Sequence, residues 1–388
     1  MSNTQVLPQH DVSSEPIAQA SWRDSGALLV YLAVLALISL HLYRNPTYDM
    51  DSIQYMGNAL LMEDTDIVRV HQRVYAELRQ QVPKRALNML LGDDPKAPAD
   101  QNQSRIERAT NPYRFAEFLP MFAIRPSYNQ ALYLVGKTGV GLVRAGILIS
   151  VAAYFLMGVL LFLWVRPYST PWLAVSLCAL CMASPPLMAV GRDPTSDALA
   201  SLIAFLSLYL IFEKQQLAAG IAVLLSSIYF RTDFVVLAGP VLLICWLQRR
   251  LQFWQATVFG LLAVLSVVTI NHFAGDYGIR MLYYRNFIGT PIAPGEVAAH
   301  FTARDYLSAF RSGVTKVADS FFVPFLLLGV TGLRSKKMLP IMAATLAYVM
   351  LHFVILPNWQ ERWVAVFYLS MVVSAATWMP NWRSDQSR

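Results

Sequence analysis

Apolar runs follow one another along this chain, each closed by a short polar or charged turn, and that pattern restricts it to helices assembled in a membrane. A helix needs roughly eighteen or more apolar residues to cross the hydrocarbon core of a bilayer. Runs at or near that length are expected at 26–43, 145–165, 171–189, 196–212, 216–230, 233–248, 255–272, 318–333, 338–356 and 362–379. The shorter ones require tilt, local thinning of the bilayer or a re-entrant pair. The fold class is therefore all-α: a polytopic transmembrane bundle of about ten spans with a long first outer loop. Charged residues make up only 14% of the chain, against about 25% in a soluble domain, so much of the surface is expected to meet lipid.

The net charge is +7. In a membrane protein this excess is read as cytoplasmic anchors and phosphate-binding sites; no nucleic-acid motif accompanies it. Cys178, Cys181 and Cys245 lie in apolar runs, and the CxxC they include is read as packing within a span. The six histidines form no HExxH or similar pair, so the sequence offers no metal site. The first run, Gly26 to Tyr43, is followed by Arg44-Asn45-Pro46 rather than a cleavage signal, and is read as a retained signal anchor.

Lysine and arginine in the short loops set the orientation. Arg166, Lys214, Arg249-Arg250 and the Arg334 to Lys337 cluster fall on one side and are assigned to the cytoplasm. Residues 1–25 and 381–388 are then cytoplasmic tails, and residues 26–380 form one membrane domain. Segments 44–144 and 273–317 become outer loops. Residues 51–63 and 67–91 are expected as amphipathic helices. The polar stretch 92–111 is expected as a mobile lobe, and Phe115, Phe118, Leu119, Met121 and Phe122 as a segment lying in the membrane interface.

The unusual charges all fall on the outer side. Asp49 and Asp51, in Tyr48-Asp49-Met50-Asp51, lie just beyond the first span, with Tyr55 one helical turn later. A partly desolvated carboxylate there suits a general base, and it equally suits the cap of a helix starting near Ser52. Arg192, Asp193 and Asp197 enter the fourth span, where Pro194 is expected to open the helix with Asp193 as its cap. Arg231 and Asp233 read as a local ion pair at a turn. Glu361 and Arg362 open the last span, with Arg362 a candidate phosphate ligand because guanidinium presents a planar fork of donors. Arg280, Tyr283, Tyr284, Arg285 and His300 in the second outer loop suit a lipid head group, as do Arg114, Arg125 and Lys137 in the first.

The order of these features resembles the GT-C superfamily of membrane glycosyltransferases. Its marks are the acidic Tyr48 to Asp51 motif after the first span, Arg192 to Leu210 (RDPTSDALASLIAFLSLYL), Pro357 to Leu369 (PNWQERWVAVFYL) and Phe122 to Tyr133 (FAIRPSYNQALY). In two places the chain departs from the family pattern: Thr195-Ser196 separates Pro194 from Asp197, and no proline follows Arg362 within the last span.

The resemblance implies transfer of a hexose or pentose from a polyprenyl-phosphate sugar to an acceptor hydroxyl on a glycan, lipid or protein. Asp49 or Asp51 would act as base. Tyr55, Arg192, Asp193, Asp197, Arg231, Arg285, Glu361 and Arg362 would bind substrate and lipid phosphate. A divalent cation is left open. The expected location is a bacterial inner membrane, in contact with lipid, with both termini cytoplasmic and the active face outward, in service of the cell envelope. Two alternatives stand beside it: a GT-C-like assembly partner without activity, and a multi-span transporter or flippase.

Overall fold

The structure is a computed structural model that describes residues 22–276, 278–289, 294 and 302–377. All regular secondary structure among the described residues is helical. Helix α1 (Trp22–Arg44) is followed by a module of seven helices: α2 (Met50–Leu60), α3 (Ile67–Gln81), α4 (Lys84–Leu90), α5 (Ala99–Thr110), α6 (Pro112–Ala116), α7 (Pro120–Ala123) and α8 (Pro126–Val135). Local chemistry sets these starts. Asp66 accepts from the backbone N–H groups of Val68 and Arg69 to cap α3, and Asn111 does the same for α6, with Pro112 at its first position.

The module has its own apolar core. Ile53, Tyr55 and Met56 of α2 pack with Val74 and Leu78 of α3 and with Phe115, Phe118, Leu119 and Phe122. This corrects two expectations. Phe115 to Phe122 face the protein interior, because α2 supplies their apolar partner; Gly57 makes room for them, a Cβ there falling 2.6 Å from both Leu119 and Phe115. The 92–111 stretch holds α5, fixed by the Arg105–Asp94 ion pair at 2.9 Å and by buried Arg108 over the Phe118 ring.

Helix α9 (Leu142–Val165) joins the two halves. Its first residues, Leu142 to Ile149, complete the module core; Ala153 to Val165 belong to the core of the bundle. There α9 packs against α1, where the Tyr31 hydroxyl donates to the Gly158 carbonyl at 2.8 Å. The remaining bundle helices are α10 (Pro171–Met182), α11 (Pro185–Arg192), α12 (Asp197–Leu208), α13 (Leu217–Ser227), α14 (Val235–Leu247), α15 (Phe253–Phe273), α17 (Ala303–Ala318), α18 (Phe322–Val330), α19 (Leu339–Ile355) and α20 (Ala365–Ala376), while α16 (Gly278–Phe287) adds Met281 to the module core. Every residue of α20 is buried, enclosed by α9, α10, α12, α18 and α19. Helix α15 is the opposite case: only 11% of its apolar window is buried within the protein, leaving an apolar flank of the kind lipid covers.

Among the described residues, three helices, α1, α9 and α15, are long and apolar enough to cross a membrane, and two bent pairs raise the number to five. The α10–α11 pair bends by 64° at Ser184-Pro185-Pro186, where proline removes backbone donors. The α17–α18 pair bends by 62° at the polar turn Asp319-Ser320. Helices α13, α14, α19 and α20 are shorter than a full crossing. The fourth run also begins later than expected: α12 starts at Asp197, not at Pro194. Thr195 and Ser196 form the turn, and Asp193 ends α11 instead of capping α12.

Candidate functional site

Where the α2–α8 module meets the bundle, four carboxylates from two separate segments come to one guanidinium. Arg362, in the short 3-10 turn before α20, lies 2.8 Å from Asp193 and 3.2 Å from Asp197. The same side chain lies 3.6 Å from Asp49 and 3.6 Å from Asp51. The planar fork of arginine can serve several acceptors at once, which the point charge of lysine cannot. Gln360 steadies it by accepting from Nε at 3.0 Å.

The network continues inward. Arg231 donates through Nη1 to Asp197 Oδ1 at 2.7 Å and through Nε to Asp233 Oδ1 at 3.0 Å. His352 Nε2 lies 3.1 Å from Asp233 Oδ2. Thr195 donates its hydroxyl proton to Asp197 Oδ2 at 3.1 Å. Arg231 and Asp197 are both buried, so this pair is nearly dry. Each charge there depends on its partner, because an unpaired buried charge is costly.

Helix geometry explains how Asp49 and Asp51 come to face Arg362. Asp49 sits at the N-cap of α2, yet its side chain makes no capping bond; the Ser52 hydroxyl donates to the Asp49 carbonyl instead. Asp51 lies in the first turn of α2, where a negative charge is favoured. Burial pushes the Asp193 carboxyl above its ordinary value; Arg362 opposes the shift and Asp197 adds to it.

A cavity of about 160 Å³ opens beside this cluster, lined by Asp51, Tyr55, Arg125, Thr195, Asp197 and Arg362, with Met121, Phe122 and Ile124 as an apolar flank. The Tyr55 hydroxyl meets the Ser196 hydroxyl at 3.3 Å, and its ring packs edge-on against Phe122 and Tyr128. Burial pushes the Tyr55 phenol up to about 12; Arg125 opposes this, and Asp51 and Asp197 add to it. At neutral pH Tyr55 is therefore a hydrogen-bonding group and not a base.

Of the residues expected from the sequence, Asp49, Asp51, Asp193, Asp197, Arg231 and Arg362 meet in one network, and Tyr55 lines the adjoining cavity. Arg192 is placed elsewhere: its Nε donates to the Asn45 carbonyl at 3.0 Å, pinning the segment that carries Asp49. Glu361 faces away as well, accepting from the Phe321 N–H at the start of α18. The side chain of Arg285 lies outside the described residues, as does His300. The Arg231–Asp233 pair is local as expected and is also tied to Asp197.

Sequence reasoning missed His352. The signal was there: an ionisable residue near the end of an apolar run is a site candidate. It also missed Gln360 and Trp363, the flanking neighbours of Arg362 that line the cavity.

Among the described residues, no group of three or more histidine, cysteine, aspartate or glutamate side chains is arranged to hold a metal ion. In comparisons with protein-family models, curated proteins and solved structures, nothing matches this chain.

Proposed function

We propose that this chain is a polytopic membrane glycosyltransferase, moving a sugar from a polyprenyl-phosphate donor to an acceptor hydroxyl on the non-cytoplasmic face. The observation that carries the reading is the gathering of Asp49, Asp51, Asp193 and Asp197 around Arg362 beside a cavity. Glycosyl transfer needs a carboxylate to take the acceptor proton and a polar, partly desolvated pocket to hold the reacting groups.

Asp51 is the base in this reading. It lines the cavity and contacts Arg362 at the longer distance of 3.6 Å, whereas Asp197 is held by Arg231, Arg362 and Thr195 together. Asp51 takes the acceptor proton as the acceptor oxygen bonds to the anomeric carbon. The bond from that carbon to the phosphate oxygen breaks, and its electron pair leaves with the lipid phosphate. Arg362 and Arg231, engaged by carboxylates, set the position and charge of the acidic wall.

The ten-span arrangement belongs to this reading. It counts each bent pair as one crossing, and it counts α12, α13, α14, α19 and α20 as short crossings with their adjoining turns. Its support is that the segments carrying Asp49, Asp193, Arg231 and Arg362 come together at one end of the bundle, as loops of one membrane side do. Reporter fusions at Gln103 and Lys336 are expected to report opposite sides.

The deciding experiment compares envelope glycans by mass spectrometry. The strains are a deletion, the deletion carrying wild type, and the deletion carrying Asp49→Asn with Asp51→Asn. A sugar that vanishes in the deletion and returns only with wild type supports transfer. Its return with the double variant points to the assembly-partner reading. An unchanged glycan profile in all three rejects the transferase.

A further inference from the structure

We infer that Arg125 is the residue that binds the phosphate of the donor, an inference that rests on the glycosyltransferase reading of this site. The cations around the cavity divide into two kinds. Arg362 is ringed by four aspartates, and Arg231 by two. A phosphate arriving at either would meet those carboxylates first and be repelled. Arg114 is paired with Glu117 at 2.9 Å and Lys137 with Glu63 at 2.8 Å. Arg125 differs from all of these: it lines the cavity, its guanidinium stands over the Tyr55 and Phe122 rings at 5.5 and 5.6 Å, and no carboxylate pairs with it among the described residues.

Its position matches the chemistry. Asp51 and Tyr55 are one helical turn apart on α2, which puts their side chains on one face roughly 6 Å apart. Arg125 stands over the Tyr55 ring, so the cation and the proposed base border the same cavity on either side of that tyrosine. A displacement at an anomeric carbon needs such an interval, with the leaving phosphate at one end and the deprotonated acceptor at the other. The cavity, about 160 Å³, is many times the roughly 10–15 Å³ that admits one water on the same measure, and so has room for a polar head group. Met121, Phe122, Ile124 and Leu282 border the same cavity. A cation with an apolar flank suits a phosphate ester carrying an isoprenoid chain better than free phosphate. The Tyr55 and Phe122 rings near the guanidinium favour its charge and supply no acceptor oxygen that competes for its N–H groups.

The test is binding by the full chain purified in detergent, with three probes: farnesyl phosphate, farnesol and inorganic phosphate. Wild type is expected to bind farnesyl phosphate at least about tenfold more tightly than farnesol, the scale of a charge-assisted hydrogen bond. Arg125→Gln is expected to abolish that preference while leaving the weak farnesol affinity unchanged. Arg125→Met, which keeps the apolar stem against Tyr55, is the second charge-removing variant. The preference is a ratio within one preparation, so partial loss of folded protein does not mimic it. If both variants keep the preference within twofold, the Arg125 assignment is overturned and the glycosyltransferase reading stands. If wild type itself shows no preference for the phosphate, the donor reading falls with it. Inorganic phosphate that competes as well as farnesyl phosphate overturns the lipid source and leaves a free-phosphate site.

Discussion

Asp197 Oδ1 accepts a hydrogen bond from Arg231 Nη1 at 2.7 Å, between side chains only 5% and 4% exposed. The other oxygen of the same carboxylate lies 3.2 Å from Arg362, so one buried anion couples two arginines from different loops. Removing one member of a buried pair leaves a charge without compensation, at a cost of about 3 kcal/mol or more. Arg231→Met and Asp197→Asn are each expected to lower stability on that scale. The double variant should cost clearly less than the two combined. Unfolding midpoints in detergent measure this, and strictly additive effects would show that the pair is not coupled.

Arg362→Lys keeps the charge but loses the fork that reaches aspartates in several directions. Under the proposed reading, glycan product should fall by about a hundredfold, the scale of removing one preorganised electrostatic group. Protein abundance should stay near wild type for lysine and drop for Arg362→Met, which strands the carboxylates. Immunoblotting beside glycan mass spectrometry separates the two effects, and a lysine variant with full product would remove Arg362 from the machinery.

Tyr55, raised to about 12, remains protonated across the working pH range. Tyr55→Phe loses its contact with Ser196, worth about 1 kcal/mol, but should leave the acidic limb of the rate–pH profile in place. Asp51→Asn should remove that limb together with most of the activity. A profile whose acidic limb disappears in Tyr55→Phe would transfer the base role away from Asp51.

In the α2–α8 module, the hydrogen bond from Arg69 pulls the Asp64 carboxyl from its ordinary 3.8 down to about 2. The folded value lies below the unfolded one, so the contribution is complete above the unfolded value and is lost as pH falls toward 2. Hydrogen exchange across α3 should therefore be slower in wild type than in Arg69→Gln at pH 6. The two should converge near pH 2. A difference that persists undiminished at the acid end would exclude this pair as its origin.

Gly57→Val should destabilise the module by about 1–3 kcal/mol through overpacking, because the new Cβ meets Leu119 and Phe115 at 2.6 Å. Gly260→Ala, with nothing within 4 Å of its Cβ, is the matched control and should be neutral or slightly stabilising. Thermal melts of the two variants side by side check this.

The charges that meet around Arg362 were more legible in the sequence than the helix boundaries were. Asp49, Asp51, Asp193, Asp197, Arg231 and Arg362 stand out because ionisable residues are costly near lipid and rarely placed there without partners. Their partners were not legible, since contacts between residues 49 and 362 depend on how the helices pack. Hydropathy alone also missed the break at Pro185-Pro186, where backbone chemistry ends a helix inside a run that still averages as apolar, and it read α17 as part of a loop. Phe115 to Phe122 were misplaced for a related reason: an apolar face is the same whether its partner is lipid or α2.

The fully enclosed α20 follows Arg362 by three residues, and this fixes an order of events in biosynthesis. The ribosome releases Asp49, Asp193, Asp197 and Arg231 well before Arg362, and the helices that surround α20 are all made before it. The nascent protein thus passes through a stage in which its acidic cluster lacks one of its two arginines and its bundle lacks its axis. Arrival of α20 closes both gaps together, so that the charge network and the packing around it are completed in the same step.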